Sequence, residues 1–335
     1  MISNHDNVYT KITRTPNTYK LFERNLLRFN MFDKTKKYLA KKELPTGDRY
    51  DLPTSDKRFP DGSQFRIEVP TVNSPETMRA ILETAENHSV TVNRIDDTFG
   101  IMRNTDETIL EYIDIAKEWG CEVNFSIGPR ATYDTSAQRA TGTAEGNRIA
   151  YRLRGMDRIV WATEDAIRAV ELGIRGLLVY DEGHLWLLNE MRKDGVLPKD
   201  LHFKLSAHCG HGNPLSFRLL EKLGADSINP VRDLTLPMIS TLRQAINAAL
   251  DIHTDNPKST GGIVRTFQAP EIVRIASPVH LKAGNSALQT HGIPTSKQEG
   301  VNMGIQCVLV SRMVEKYYPE AVQSKKGAKG LAIPK

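Results

Sequence analysis

From Gln64 onward the chain repeats one pattern eight times: a short strand with apolar residues at alternate positions, then an amphipathic helical stretch. The strands are read at Phe65–Val69, Val90–Ile95, Glu122–Ile127, Gly176–Tyr180, His202–Ala207, Ser227–Asn229, Leu250–Thr254 and Val279–Lys282. Helices open on Ser74-Pro75, Asn213-Pro214 and Ala269-Pro270, where a missing N–H costs nothing, and others close on Gly120, Gly173 and Gly224. Short links between alternating strands and helices force the strands to run parallel, and eight such units close into a (β/α)8 TIM-type barrel. The competing open, doubly wound sheet needs a Gly-rich dinucleotide fingerprint after its first strand, and this chain has none there.

Three segments follow. Residues 1–62 are polar, Lys-rich and broken by Pro16, Pro45, Pro53 and Pro60, which predicts an N-terminal arm packed on the barrel or on a neighbouring subunit. A homo-oligomer is expected on that ground. Residues 63–320 form the barrel, and 321–335 a basic tail, mobile or draped over the surface.

Composition narrows the function classes. With 39% hydrophobic and 25% charged residues the chain can bury a sizeable core, and no apolar run is long enough to span a bilayer. The opening residues carry no apolar leader, and Cys121, Cys209 and Cys307 lie far apart without CxxC spacing. A cytoplasmic protein is expected, with no disulfide scaffold, zinc ribbon or iron–sulfur cluster. The net charge of +5 comes from scattered basic residues rather than a nucleic-acid signature, so it reads as solvated surface plus an anion-binding site.

The chemistry lies on the strand faces that point into the lumen. In HFKLSAHCGHGNP, residues 202–214, Phe203, Leu205 and Ala207 face the outer helices, leaving Lys204, Ser206 and His208 inward ahead of a Gly-rich turn containing His211. The same alternation points Arg66 and Glu68, Asn124 and Ser126, Asp251, His253 and Asp255, and His280 and Lys282 inward. Buried charge is costly unless paired or bound to a ligand, so a ring of such groups at the carboxyl ends of barrel strands predicts a site.

Glu68, Asp181, Glu182, His208, His253 and Asp255 come from different strand ends and offer the carboxylate and imidazole donors that suit divalent Zn, Mn or Fe. Lys204 and Lys282 allow a second chemistry, since a desolvated lysine near another cation can lose its proton and attack a carbonyl. His208, His211, Lys204 and Lys282 are the candidate proton movers and nucleophiles. The long loop of residues 128–155 carries Arg130, Arg139 and Arg148, which suit a carboxylate or phosphate. Arg66, Arg94, Asn229 and Asn285 complete the expected substrate-binding set. Arg94 with Asp96-Asp97 after strand two, and Arg232-Asp233 after strand six, add charge to the same rim.

GLLVYDEG followed by KLSAHCGHGN resembles the strand-and-glycine texture of the collagenase-like peptidases, the unassigned-mechanism peptidase family thirty-two, over the barrel from Gln64 onward. The cysteines that hold an iron–sulfur cluster in many members are missing here, so protease activity is not carried over. The chain is also similar to metal-dependent acyl lyase barrels, whose His-x-His on strand seven and Gly-Asn on strand eight match Ile252-His253-Thr254-Asp255 and Gly284-Asn285, with Asp255 in place of the second His. These readings together predict a cytoplasmic barrel enzyme, a metal-assisted lyase or hydrolase of a small anionic substrate. The alternatives are a Schiff-base lysine lyase and a non-catalytic barrel that binds or assembles.

Overall fold

The computed structural model describes residues 32–129, 142–143, 146, 149–288 and 293–335. The chain divides into two compact units, Met1–Thr46 and Gly47–Lys335. The first contains helix α1 (Asp33–Lys41), which buries none of its residues.

The second unit is a closed barrel of eight parallel strands in sequence order. The strands are β1 (Phe65–Val69), β2 (Arg94–Asp97), β3 (Glu122–Ser126), β4 (Gly176–Val179), β5 (His202–Leu205), β6 (Ser227–Ile228), β7 (Ala249–His253) and β8 (Val279–Lys282). The helices between and after them are α2 (Pro75–Asn87), α3 (Asp106–Trp119), α4 (Gly155–Leu172), α5 (Glu182–Lys193), α6 (Pro214–Lys222), α7 (Leu236–Ala245), α8 (Ala269–Ala276) and α9 (Lys297–Tyr317). Closure sets Glu68 beside Lys282 across β1 and β8. Ile67, Ile95, Val123, Phe125, Leu177, Phe203, Leu250 and Leu281 face the helices in one apolar core, and this leaves the alternate positions to the lumen.

Six of the eight strands have boundaries that differ from the sequence reading, four by a single residue at one or both ends and two, β2 and β5, by more. Strand β2 begins at Arg94, not Val90. The Asn93 side chain accepts the Ile67 N–H at 3.0 Å, so a side chain stands where a ladder partner would, and pairing continues from the next residue. Arg94 and Asp96 therefore sit inside the barrel rather than on its rim. Strand β5 ends at Leu205, because the Ser206 hydroxyl accepts the His208 N–H at 3.2 Å and starts a tight turn, Ala207–Cys209.

The C-terminal residues are ordered against the end of the barrel where the strands start. Ser324 donates its N–H to Phe65 O (3.1 Å) and Lys335 to Gly173 O (2.8 Å). Ala332 donates its N–H to Glu122 at 3.0 Å. Residues 47–62 also pack on this unit, with the Ser55 N–H on Arg274 O at 2.8 Å.

Candidate active site

The lumen holds a continuous network of buried ions. Lys204 from β5 and Lys282 from β8 both bind Glu68 Oε1, and reach Asp96 Oδ2 at 2.7 and 3.0 Å. Below them Arg94 bridges Glu68 and Asp251, each at 3.2 Å, and Glu122 at 2.6 Å. Ser227 donates to Asp251 at 2.9 Å. Asn124 donates to Asp96 at 3.2 Å, in space left by Gly176, where an added Cβ would lie 2.1 Å from the Asn124 amide oxygen.

Among the described residues, four carboxylates (Glu68, Asp96, Glu122, Asp251) thus meet three cations (Arg94, Lys204, Lys282). The near balance is what makes burial tolerable, because an unpaired charge here would face the full desolvation cost. Burial pushes the Glu68 carboxyl up, but Lys204, Lys282 and Arg94 outweigh it and hold it well below the carboxylate range. The same contest, won chiefly by Arg94, leaves Glu122 at about 2. The lysines split. Burial pushes both down, yet Asp96 and Glu68 lift Lys282 above its ordinary value, while Lys204 stays lowered with Lys282 opposing its charge. The two amines share Glu68 and Asp96 and titrate as a pair.

Above this network a pocket with a cavity volume of about 30 Å³ opens among the loops that follow the strands, with Lys282 and Asp96 in its floor and His253, Arg232, Asn229, Asn285, Ser206 and His208 in its walls. Four wall atoms are buried without a hydrogen-bond partner among the described residues: Thr71 Oγ1, His253 Nδ1, Arg232 Nε and the Asn285 amide oxygen. Burial and then the charges of Lys282 and Arg232 push His253 far below its ordinary value, so it is neutral. No carboxylate pairs with Arg232 among the described residues; its one hydrogen bond is a 3.5 Å contact to His208 Nε2. The His208 ring is stacked on Tyr151, with centroids 3.9 Å apart. Unpartnered donors and acceptors from β7 and from the loops after β6 and β8, facing one space, are the arrangement that a polar ligand completes.

The expected site residues are distributed unevenly. Glu68, Lys204 and Lys282 meet in the lumen, and His253, His208, Asn229 and Asn285 line the pocket above them. Asp255 accepts the N–H groups of Gly284 (2.9 Å) and Ser286 (2.6 Å), so it holds the turn after β8. Asp181 caps α5 through the Gly183 and His184 N–H groups at 2.9 and 3.2 Å. Glu182 is bound by Arg152 and His211. Arg94 is locked in the ion network, and Arg66 lies toward the opposite end, where it donates to Gly330 O at 2.9 Å. Arg130, Arg139 and Arg148 lie outside the described residues.

A second grouping was not assembled from the sequence. Glu68, Asp251 and His280 bring one ligand atom each within 4.8 Å of one another, all buried, in a set that a divalent ion accepts. Asp251 and His280 are legible as inward-facing residues, but their depth relative to Glu68 depends on the stagger of the strands. Arg94 lies 3.2 Å from both carboxylates and supplies positive charge at that place. Among the described residues no cysteine cluster accompanies it, and no helix is long and apolar enough to cross a membrane.

No family model and no curated protein matches the sequence. Among solved structures the U32 peptidase Mk0906 aligns over 61% of this chain and 73% of its own, at 19% identity and a TM-score of 0.37. The YdjI aldolase from Escherichia coli K12 aligns over 76% of this chain and 90% of its own, at 14% identity and 0.43. The delta-aminolevulinic acid dehydratase from Toxoplasma gondii aligns over 68% and 84%, at 10% identity and 0.40. The chain thus bears a weak structural resemblance to a U32 peptidase barrel and to several barrel aldolases and lyases.

Proposed function

We propose that this chain is an enzyme acting on a small anionic carbonyl compound, a lyase or hydrolase whose reaction is run by the Lys204–Lys282 pair and His253. The observation that carries this reading is Arg232: a half-buried guanidinium with a buried, unpartnered Nε and no carboxylate partner among the described residues, sharing one pocket with Lys282 and with the free Nδ1 of His253. Arg232 binds the substrate carboxylate or phosphate. Lys282, kept protonated by Glu68 and Asp96, donates to the substrate carbonyl oxygen and stabilises negative charge as it develops there. Neutral His253 takes the proton that leaves carbon or water. Lys204, whose charge burial and the nearby Lys282 disfavour, is the amine available for a Schiff base once its proton has passed to water, and the carbonyl oxygen leaves as water when the imine forms.

A divalent metal is the second reading, and the Glu68–Asp251–His280 grouping favours it. These three side chains would hold the ion after the Arg94 guanidinium moves aside. When bound it would supply a Lewis acid below the pocket floor.

Pyruvate and dihydroxyacetone phosphate, each with sodium borohydride, test the main reading. Peptide mass mapping is expected to find a reduced adduct on Lys204 or Lys282, or, without an adduct, saturable binding that Arg232→Gln weakens about tenfold. Binding that is unchanged in Arg232→Gln and in Lys282→Met would overturn it.

A further inference from the structure

A second, larger cavity opens at the other end of the barrel, where the strands begin. Its volume is about 310 Å³ and it is walled by Arg58, Phe59, Arg66, His202, His280 and Gly330, among others. The catalytic reading makes no use of it, and its chemistry is that of a binding site.

Arg66 is buried, yet all three of its hydrogen bonds go to neutral acceptors: Ser324 Oγ at 2.9 Å, Gly330 O at 2.9 Å and Lys329 O at 3.1 Å. A guanidinium has five N–H donors, so two remain. Arg58, on the rim, donates to Ser55 O (2.9 Å) and Lys57 O (2.8 Å) and pairs with no carboxylate among the described residues. Asp226 is the one acidic residue in the cavity wall, and Arg192 takes it at 2.7 Å. Asp61 and Glu122 lie near enough to Arg66 to be felt electrostatically, but Ser63 holds the first, and Arg94 and the Ala332 N–H hold the second.

The third element is His280, 1% exposed and register neighbour of Arg66 across β8 and β1. The Phe59 ring lies between the two, 5.0 Å from the imidazole edge-on and 4.0 Å from the guanidinium. His280 Nε2 has no hydrogen-bond partner; Nδ1 lies 2.8 Å from Asp251 Oδ1 without the alignment of a hydrogen bond. Two under-used guanidinium groups and a buried, unpartnered ring nitrogen thus face one cavity.

We infer that this cavity is a phosphate-binding site, distinct from the pocket at the carboxyl ends of the strands. A hydrogen phosphate group accepts from the spare N–H groups of Arg66 and from Arg58, and its own hydroxyl donates to His280 Nε2. The chemistry is shared by hydrogen phosphate and by a phosphomonoester in its singly protonated form. The C-terminal residues build one wall, since Lys329 and Gly330 hold Arg66 in place through their carbonyl oxygens.

Calorimetric titration of the full chain with inorganic phosphate and with glycerol 1-phosphate, at fixed ionic strength and against sulfate, tests this. Arg232→Gln removes the other pocket's guanidinium, so binding that persists in it is binding at this site. Phosphate is expected to bind the Arg232→Gln protein, more tightly than sulfate, which has no hydroxyl to donate. Adding Arg58→Gln or Arg66→Lys should weaken it about tenfold. Tighter binding of glycerol 1-phosphate identifies a phosphomonoester ligand, and tighter binding of phosphate the free ion. Arg58 is exposed, so Arg58→Gln remains decisive if Arg66→Lys does not fold. Absence of phosphate binding in the Arg232→Gln protein, or binding there that neither second substitution weakens, would overturn the inference. The proposed carbonyl chemistry would stand in either case, because it rests on the other pocket.

Discussion

Lys204 and Lys282, on strands that are not neighbours in the barrel, reach the same two oxygens, Glu68 Oε1 and Asp96 Oδ2. Each lysine is tolerated inside the barrel only because the carboxylates are there, and each carboxylate only because of the lysines. Replacing Lys204 by Met keeps the length of the chain but leaves its carboxylates under-compensated. The expected loss is about 3–5 kcal/mol by urea unfolding, and Glu68→Gln should cost as much. The Lys204→Met, Glu68→Gln double variant should lose clearly less than the sum of the two. Strict additivity would show that the two side chains are energetically independent.

The buried titratable groups make the protein acid-labile, and the sign follows from each shift. His184 is lowered by burial from 6.5 to about 4, and burial also holds His253 and His280 well below 6.5. Below pH 6.5 the unfolded chain takes up protons that the folded chain refuses, so this part of the stability drains away as pH falls from about 6.5. Glu122 sits at about 2 against an ordinary 4.5, so its contribution is complete above pH 4.5 and disappears as pH falls through about 2. Urea midpoints should be flat above pH 7 and fall in these two overlapping windows, by on the order of 1–4 kcal/mol per group. A midpoint constant from pH 7 to pH 4 would contradict the neutral, buried imidazoles.

His253 and Asp255, two residues apart on and just after β7, should separate into ligand and scaffold. Asp255→Asn loses its charge against two backbone N–H groups and is expected to cost about 1–3 kcal/mol. His253→Asn gives up no hydrogen bond from Nδ1 and should melt close to the wild type while weakening binding of pyruvate or dihydroxyacetone phosphate. The reverse pattern would make His253 a structural residue.

Chelation separates the two catalytic readings. With Arg94 already neutralising Glu68 and Asp251, dialysis against EDTA should leave the melting temperature within about 2 °C of its starting value. A fall of many degrees, restored by one equivalent of Zn or Mn and absent in His280→Ala, would favour the metal reading.

The C-terminal segment should behave as part of the barrel. Ending the chain at Gln323 removes Ser324 from Arg66 and the Ala332 N–H from Glu122, exposing two buried charges. A loss of about 2–4 kcal/mol is expected in urea unfolding. An unchanged midpoint would make the segment a surface attachment.

The sequence by itself determined the barrel. Eight strand–helix units, with caps and glycines at their joints, permit little else, and the period of two in each strand sorted Glu68, Lys204, Asp251, His253, His280 and Lys282 to the inner face. That sorting is local, because successive side chains on a strand must alternate. Only the tertiary structure decided how deep each residue sits and whom it meets. Depth depends on where a strand starts and on the stagger around the barrel, which pairing with both neighbours fixes. Asn93 moved the start of β2, and with it Arg94 and Asp96 from the rim into the lumen. The same non-local stagger set Asp251 and His280 beside Glu68, gave Asp255 to backbone amides, and left Arg232, two residues beyond Pro230, as a half-buried cation with no carboxylate partner among the described residues.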